Sequence, residues 1–182
     1  VGERFERKEY FLPQLMQSAA AMQKAMEKLE PLLRKEGGGS DGPVFVLATV
    51  KGDIHDIGKN IVAVVMACNG YEIKDLGVMV ESQRIVEEAV AWGADCICLS
   101  GLITPSLDEM ARVCEELERR GLRIPVIIGG ATTSDLHTAV KIAPVYSGAV
   151  IHSANASSNC QILAQLLGPD GDLYIDKIKA DQ

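Results

Sequence analysis

At 182 residues and 19.6 kDa, 47% hydrophobic, with a formal charge of −7 and a pI near 5.0, the chain has room for one α/β domain and a small additional element. The acidic balance gives no basic footprint for nucleic acid or an anionic membrane surface, and no apolar run approaches the roughly 20 residues that span a bilayer. A charged N-terminus and the absence of Cys-x-x-Cys spacing among Cys68, Cys96, Cys98, Cys114 and Cys160 point to a cytoplasmic protein with reduced, largely buried thiols. The chain opens on Val1, not on Met, which suggests a piece of something longer.

In residues 9–35, Leu12, Leu15, Met16, Ala19, Met22, Met26, Leu29 and Leu33 recur at three- and four-residue steps. The spacing predicts an amphipathic helix that tolerates Pro13 in its first turn and must pack its stripe on something else. Residues 1–36 therefore form one unit, 37–43 (GGGSDGP) a flexible linker, 44–168 the main domain and 169–182 a polar tail that wraps loosely or leads elsewhere. Within the main domain, apolar runs near 44–50, 71–76, 95–100, 125–129 and 147–152 alternate with helix-period segments near 58–69, 82–92, 106–120, 134–141 and 156–167. Alternation of this kind predicts a five-stranded parallel sheet covered on both faces, Rossmann-like or flavodoxin-like, with its strand-end loops gathered on one edge.

The first of those loops, residues 51–60, reads KGDIHDIGKN. Asp53 stands two positions before His55, and Gly58 three positions after it. A metal-ligating imidazole usually gives its second ring nitrogen to a carboxylate, and a glycine admits a ligand close to the backbone. A polar loop capping a helix would give the same pattern without a metal. At the third strand's end, residues 100–106 (SGLITPS) offer hydroxyls ahead of a helix that Pro105 can start, with Thr104 the expected N-cap and Asp108 or Glu109 in the first turn. Gly129 and Gly130 suit a tight turn or a close approach. Asp56 is expected to cap or face solvent, and His137 and His152 to be structural or solvent-facing.

Together, TVKGDIHDIGKNIV (49–62), LSGLITPSLDEM (99–110) and IGGATTS (128–134) closely resemble the cobalamin-binding module of cobalamin-dependent methionine synthase, and the resemblance fades only after about residue 167. It implies that His55 replaces the cofactor's dimethylbenzimidazole as the lower axial ligand of cobalt, with Asp53 and Ser106 completing a cobalt–His55–Asp53–Ser106 chain. Ser100 and Thr104 would contact the displaced nucleotide tail, in a pocket shared with Gly58, Gly129, Gly130 and Ala156. Phe5, Leu12, Leu15 and Met16 match a helical cap over the methyl-bearing face of the corrin, of which only the second half of a four-helix bundle is represented. The implied cofactor is cobalamin, as methylcobalamin. The implied partners are methyl-donor and methyl-acceptor domains or subunits and a reductive reactivation partner, since residues for folate and homocysteine sites are not recognisable. Two alternatives remain open: a free-standing corrinoid protein of a methanol, methylamine or acetogenic methyltransferase system, and a cobalamin-sensing binding domain.

Overall fold

The computed structural model describes residues 42–182 and, before them, only Arg7, Glu9, Phe11, Gln17, Ala21, Lys24, Ala25 and Lys28. Phe5, Leu12, Leu15 and Met16 lie outside the described residues, as does most of the expected linker.

Five strands form one sheet: β1 (Val44–Thr49), β2 (Glu72–Asp75), β3 (Cys96–Ser100), β4 (Val126–Gly129) and β5 (Val150–His152), in the order β2-β1-β3-β4-β5 with every pair parallel. The period-2 alternation of strand side chains sorts the core into two layers. Val46, Ala48, Ile97, Leu99, Val126 and Ile128 face one side, where α2 (Ser82–Ala91) and α3 (Thr104–Arg119) cover them with Ile85, Val86, Met110, Val113 and Leu117. Phe45, Leu47, Cys96, Cys98 and Ile127 face the other, against Met66 of α1 (Ile57–Cys68) and Ile162, Leu163 and Leu166 of α5 (Ala156–Leu166). Burial on both faces explains why the strands read as continuous apolar runs.

Between β4 and β5 the expected single helix is broken into a short α4 (Asp135–His137), a π-helical turn (Thr138–Ile142) and a 3₁₀ turn (Ala143–Val145). Pro144 cannot donate the backbone hydrogen bond that a continued helix needs. β5 starts later than its apolar run because Ser147 is drawn into the preceding turn by Glu118, which accepts from its N–H and Oγ–H. The C-terminal residues are not a loose tail. They form α6 (Gly171–Asp181), whose Tyr174, Ile175 and Ile178 pack on the second layer, and Gln182 donates to the outer-edge carbonyl of Val150.

The connection leaving β1 runs toward β2, whereas that leaving β3 runs the other way toward β4. The loops after β1 and β3 therefore diverge at the carboxyl edge and leave a crevice between them, the position where open α/β sheets bind ligands. Among the described residues, no helix is long and apolar enough to cross a membrane.

Candidate functional site

The loop after β1 is pinned at its base by the sheet. Val50 N–H donates to Ser100 O, Asp53 N–H to Val50 O, and Met79 N–H to Asp53 O. This delivers the Asp53 carboxylate, 1% exposed, to the start of α3 on the other side of the crevice. There its Oδ2 accepts from Ser106 Oγ–H (2.7 Å), Leu102 N–H (2.5 Å) and Ile103 N–H (3.3 Å). Its Oδ1 accepts from His55 N–H (3.0 Å) and lies 2.7 Å from His55 Nδ1. Burial alone would raise the pKa of Asp53, but the donors from Leu102, Ser106 and His55 outweigh it and hold the group well below the usual carboxylate range. An ionised carboxylate only accepts, so Nδ1 must carry the ring proton. In the neutral ring Nε2 then keeps a free lone pair, on a side chain that is half exposed.

The structure thus brings Asp53, His55 and Ser106 into one chain. It also corrects the sequence reading of the loop after β3. Thr104 is not the N-cap of α3: that position is Ile103, with no side-chain cap, and the first turn holds no acidic residue. The orphan N–H groups beside the helix start are instead satisfied by a carboxylate 50 residues away, Asp53. Asp56 occupies the N-cap position of α1 without a capping hydrogen bond. Of the two roles expected of His152, structural or solvent-facing, its contacts fit the first: Nδ1 lies 3.0 Å from Asp135 Oδ1 and Nε2 3.0 Å from Thr133 Oγ1.

Beside this chain a cavity of about 360 Å³ opens between the carboxyl ends of β1, β3 and β4 and the starts of α1 and α5. Gly58, Ser100, Gly129, Gly130 and Ala156 all line it, whereas Thr104 does not. A Cβ on Gly58 would meet nothing within 4 Å, so only hydrogen separates that backbone from the open cavity. Gly130 has a different constraint: its φ is +130°, and a Cβ there would come within 1.8 Å of Gly101 O. Sequence reasoning missed Asn159, which also lines the cavity. It is 2% exposed, and its Oδ1 has no hydrogen-bond partner among the described residues, an unmet acceptor of the kind a ligand N–H or O–H would complete.

The buried thiols of Cys98, at the cavity, and Cys114 offer no competing chemistry. All five cysteines are free, and burial pushes the thiols of Cys98 and Cys114 up to about 12, far from a reactive thiolate. Among the described residues no group of three or more His, Cys, Asp or Glu side chains could hold a metal ion. The donor set is one imidazole backed by a carboxylate, which suits a metal that arrives with its other ligands already in place.

A histidine presented at the switch point of a parallel α/β sheet, beside a ligand-sized cavity, defines a cofactor-binding module. Residues 43–149 match the family described as B12 binding domain, and a second family of the same description matches residues 1–30. The chain belongs to the B12-binding domain family. It is similar to a cobalamin-binding protein from Desulfitobacterium hafniense DCB-2 (35% identity, TM-score 0.64, 92% of this chain and 76% of that one). It is also similar to the monomethylamine corrinoid protein of Methanosarcina barkeri (34% identity, TM-score 0.70, 91% and 76%). The methanol:cobalamin methyltransferase complex of Methanosarcina barkeri shares the fold (23% identity, TM-score 0.67, 98% and 66%).

The low pKa of Asp53 has a consequence for stability. Its contribution is complete above the ordinary value of 3.8 and is lost as the pH falls from there through the lower value of the folded state. Asp53→Asn should therefore flatten the acid limb of stability between about pH 4 and pH 2, measured by urea unfolding at each pH. An acid limb as steep as the parent's would show that other carboxylates carry it.

Proposed function

We propose that the chain is a corrinoid carrier for methyl transfer, with His55 as the protein ligand to cobalt. The observation that carries this reading is the Ser106–Asp53–His55 chain, which fixes the Nδ1–H tautomer and leaves Nε2 available at the rim of the crevice. A bound corrinoid supplies a cobalt centre that can accept a methyl group from one partner and release it to another.

The protein's part is positional. His55 would supply the protein's nitrogen ligand to the metal, Asp53 would hold the ring through Nδ1, and Ser106 would hold Asp53. Gly58, Ser100, Gly129, Gly130, Ala156 and Asn159 line the cavity that would take the cofactor's nucleotide tail, where the unpartnered Asn159 Oδ1 would accept a ligand hydrogen bond. The proposed partners are a methyl-donor and a methyl-acceptor protein, in the manner of the methylamine and methanol corrinoid systems that the chain resembles in structure. Service in a methionine synthase, with methyltetrahydrofolate as donor and homocysteine as acceptor, is the second reading, favoured by the wording of residues 100–110 and 137–142.

Mixing the protein with methylcobalamin should give the absorption spectrum of a cofactor whose benzimidazole has been replaced by imidazole. An unchanged free-cofactor spectrum would sink the carrier reading. Supplying monomethylamine, methanol or methyltetrahydrofolate methyltransferases in turn, each assayed for demethylation of the loaded protein, then separates the two readings by partner.

Residues 1–30 match the family in their own right, and we assign Phe5, Leu12, Leu15 and Met16 to a cap over the upper corrin face. Phe5→Ala and Leu12→Ala should accelerate photolysis of bound methylcobalamin, because packed apolar side chains keep a released methyl group near the metal long enough to recombine. Equal photolysis rates in parent and both variants would remove the cap assignment.

A further inference from the structure

We infer that Thr49 is a second positioning residue for His55, independent of Asp53. The inference rests on the carrier reading and extends it to a residue outside the Ser106–Asp53–His55 chain. Thr49 is the last residue of β1, an interior strand between β2 and β3, and is fully buried. Its backbone is already committed: Thr49 N–H donates to Gly77 O (2.9 Å) and Thr49 O accepts from Val80 N–H (3.1 Å). In the register with β3 it stands opposite Ser100. Only its hydroxyl is left, and that hydroxyl reaches forward across the loop to donate to the carbonyl of His55 at 3.0 Å.

His55 is thereby tied down at separate points by separate residues. Asp53 takes its N–H and its ring Nδ1, and Thr49 takes its carbonyl. Contacts at N–H and ring hold one side of the residue and leave the peptide that follows it, toward α1, with no tie to β1. The Thr49 bond supplies that tie by anchoring the far side of the residue to an interior strand of the sheet, just before α1 begins at Ile57. For an imidazole that must point one lone pair at a metal, a small loss of placement weakens the bond although every ligand atom is still present.

Thr49→Val keeps the side chain's shape and removes only the donor. In the full chain reconstituted with methylcobalamin, the ratio of histidine-on to histidine-off cofactor, read from the absorption spectrum, should fall about fivefold, the equivalent of about 1 kcal/mol for one neutral hydrogen bond. Thr49→Ser should restore the parent ratio, which a role in packing alone would not do, because Ser lacks the methyl group. Should Thr49→Val fail to fold, Thr49→Cys supplies a weaker donor of similar size and should give a ratio below that of Thr49→Ser. A Val or Cys variant with the parent's ratio would overturn the inference, as would a Ser variant no better than Val. If the parent itself shows no histidine-ligated cofactor, the carrier reading fails and this inference with it.

Discussion

Replacement of His55 by glycine is expected to remove the imidazole-ligated spectrum altogether and to weaken cobalamin binding by about a hundredfold or more. Partners that merely orient a metal ligand typically carry 10–100-fold in affinity, and His55 is the ligand itself in this account. Its ring hangs from a loop whose other contacts do not depend on it. Asp53 would still accept from Ser106, Leu102 and Ile103, so the apo fold should survive. Binding titrations monitored by absorption, with unfolding curves of the apo protein beside them, separate the two effects. Retained imidazole ligation in His55→Gly would transfer the role to another residue, and a collapsed apo fold would mean that the loop needs the ring.

The second large effect is expected from two glycines that look alike in sequence and differ in structure. Gly130 has φ +130° and no room, since a Cβ would lie 1.8 Å from Gly101 O. Gly130→Ala should therefore cost about 3 kcal/mol of apo stability, the upper end of ordinary point changes. Gly58 sits in the first turn of α1, where a Cβ meets nothing, so Gly58→Ala should leave apo stability unchanged or slightly raised. It would, however, push a methyl group into the cavity and lower cobalamin affinity. Urea unfolding and cofactor titration of both variants give a crossed pattern. Unchanged affinity in Gly58→Ala would show that the cofactor does not approach that backbone.

How far the sequence foretold this arrangement follows from which interactions are carried by side chains. Asp53 and His55 are two residues apart, and their pairing is written in local spacing; the alternation of apolar strands with helix-period segments likewise exposed the parallel sheet. Ser106 reached the site reading only through family resemblance, because 53 positions separate it from Asp53 and nothing local links them. The N–H group of Leu102, which does much to hold Asp53 ionised, and that of Ile103 are backbone donors and have no signature in residue type. Their absence from the sequence reading is also why Thr104 was expected to cap α3. Polarity hid α6: Asp172, Asp176, Lys177, Lys179 and Asp181 dominate residues 169–182. Yet Tyr174, Ile175 and Ile178 fall at the one-, three- and four-residue spacings of a helix that buries one stripe. Asn159 and Thr49 carry no motif, and only their burial and partners reveal them.

The most direct test is electron paramagnetic resonance of the protein reconstituted with cob(II)alamin, once with natural histidine and once with ¹⁵N-histidine. In this account His55 Nε2 is the axial ligand, so each line of the axial cobalt pattern should be split by one nitrogen, as a triplet with ¹⁴N and as a doublet after labelling. Splitting that stays a triplet in the labelled protein would show that benzimidazole, not His55, still holds the metal, and would contradict the account.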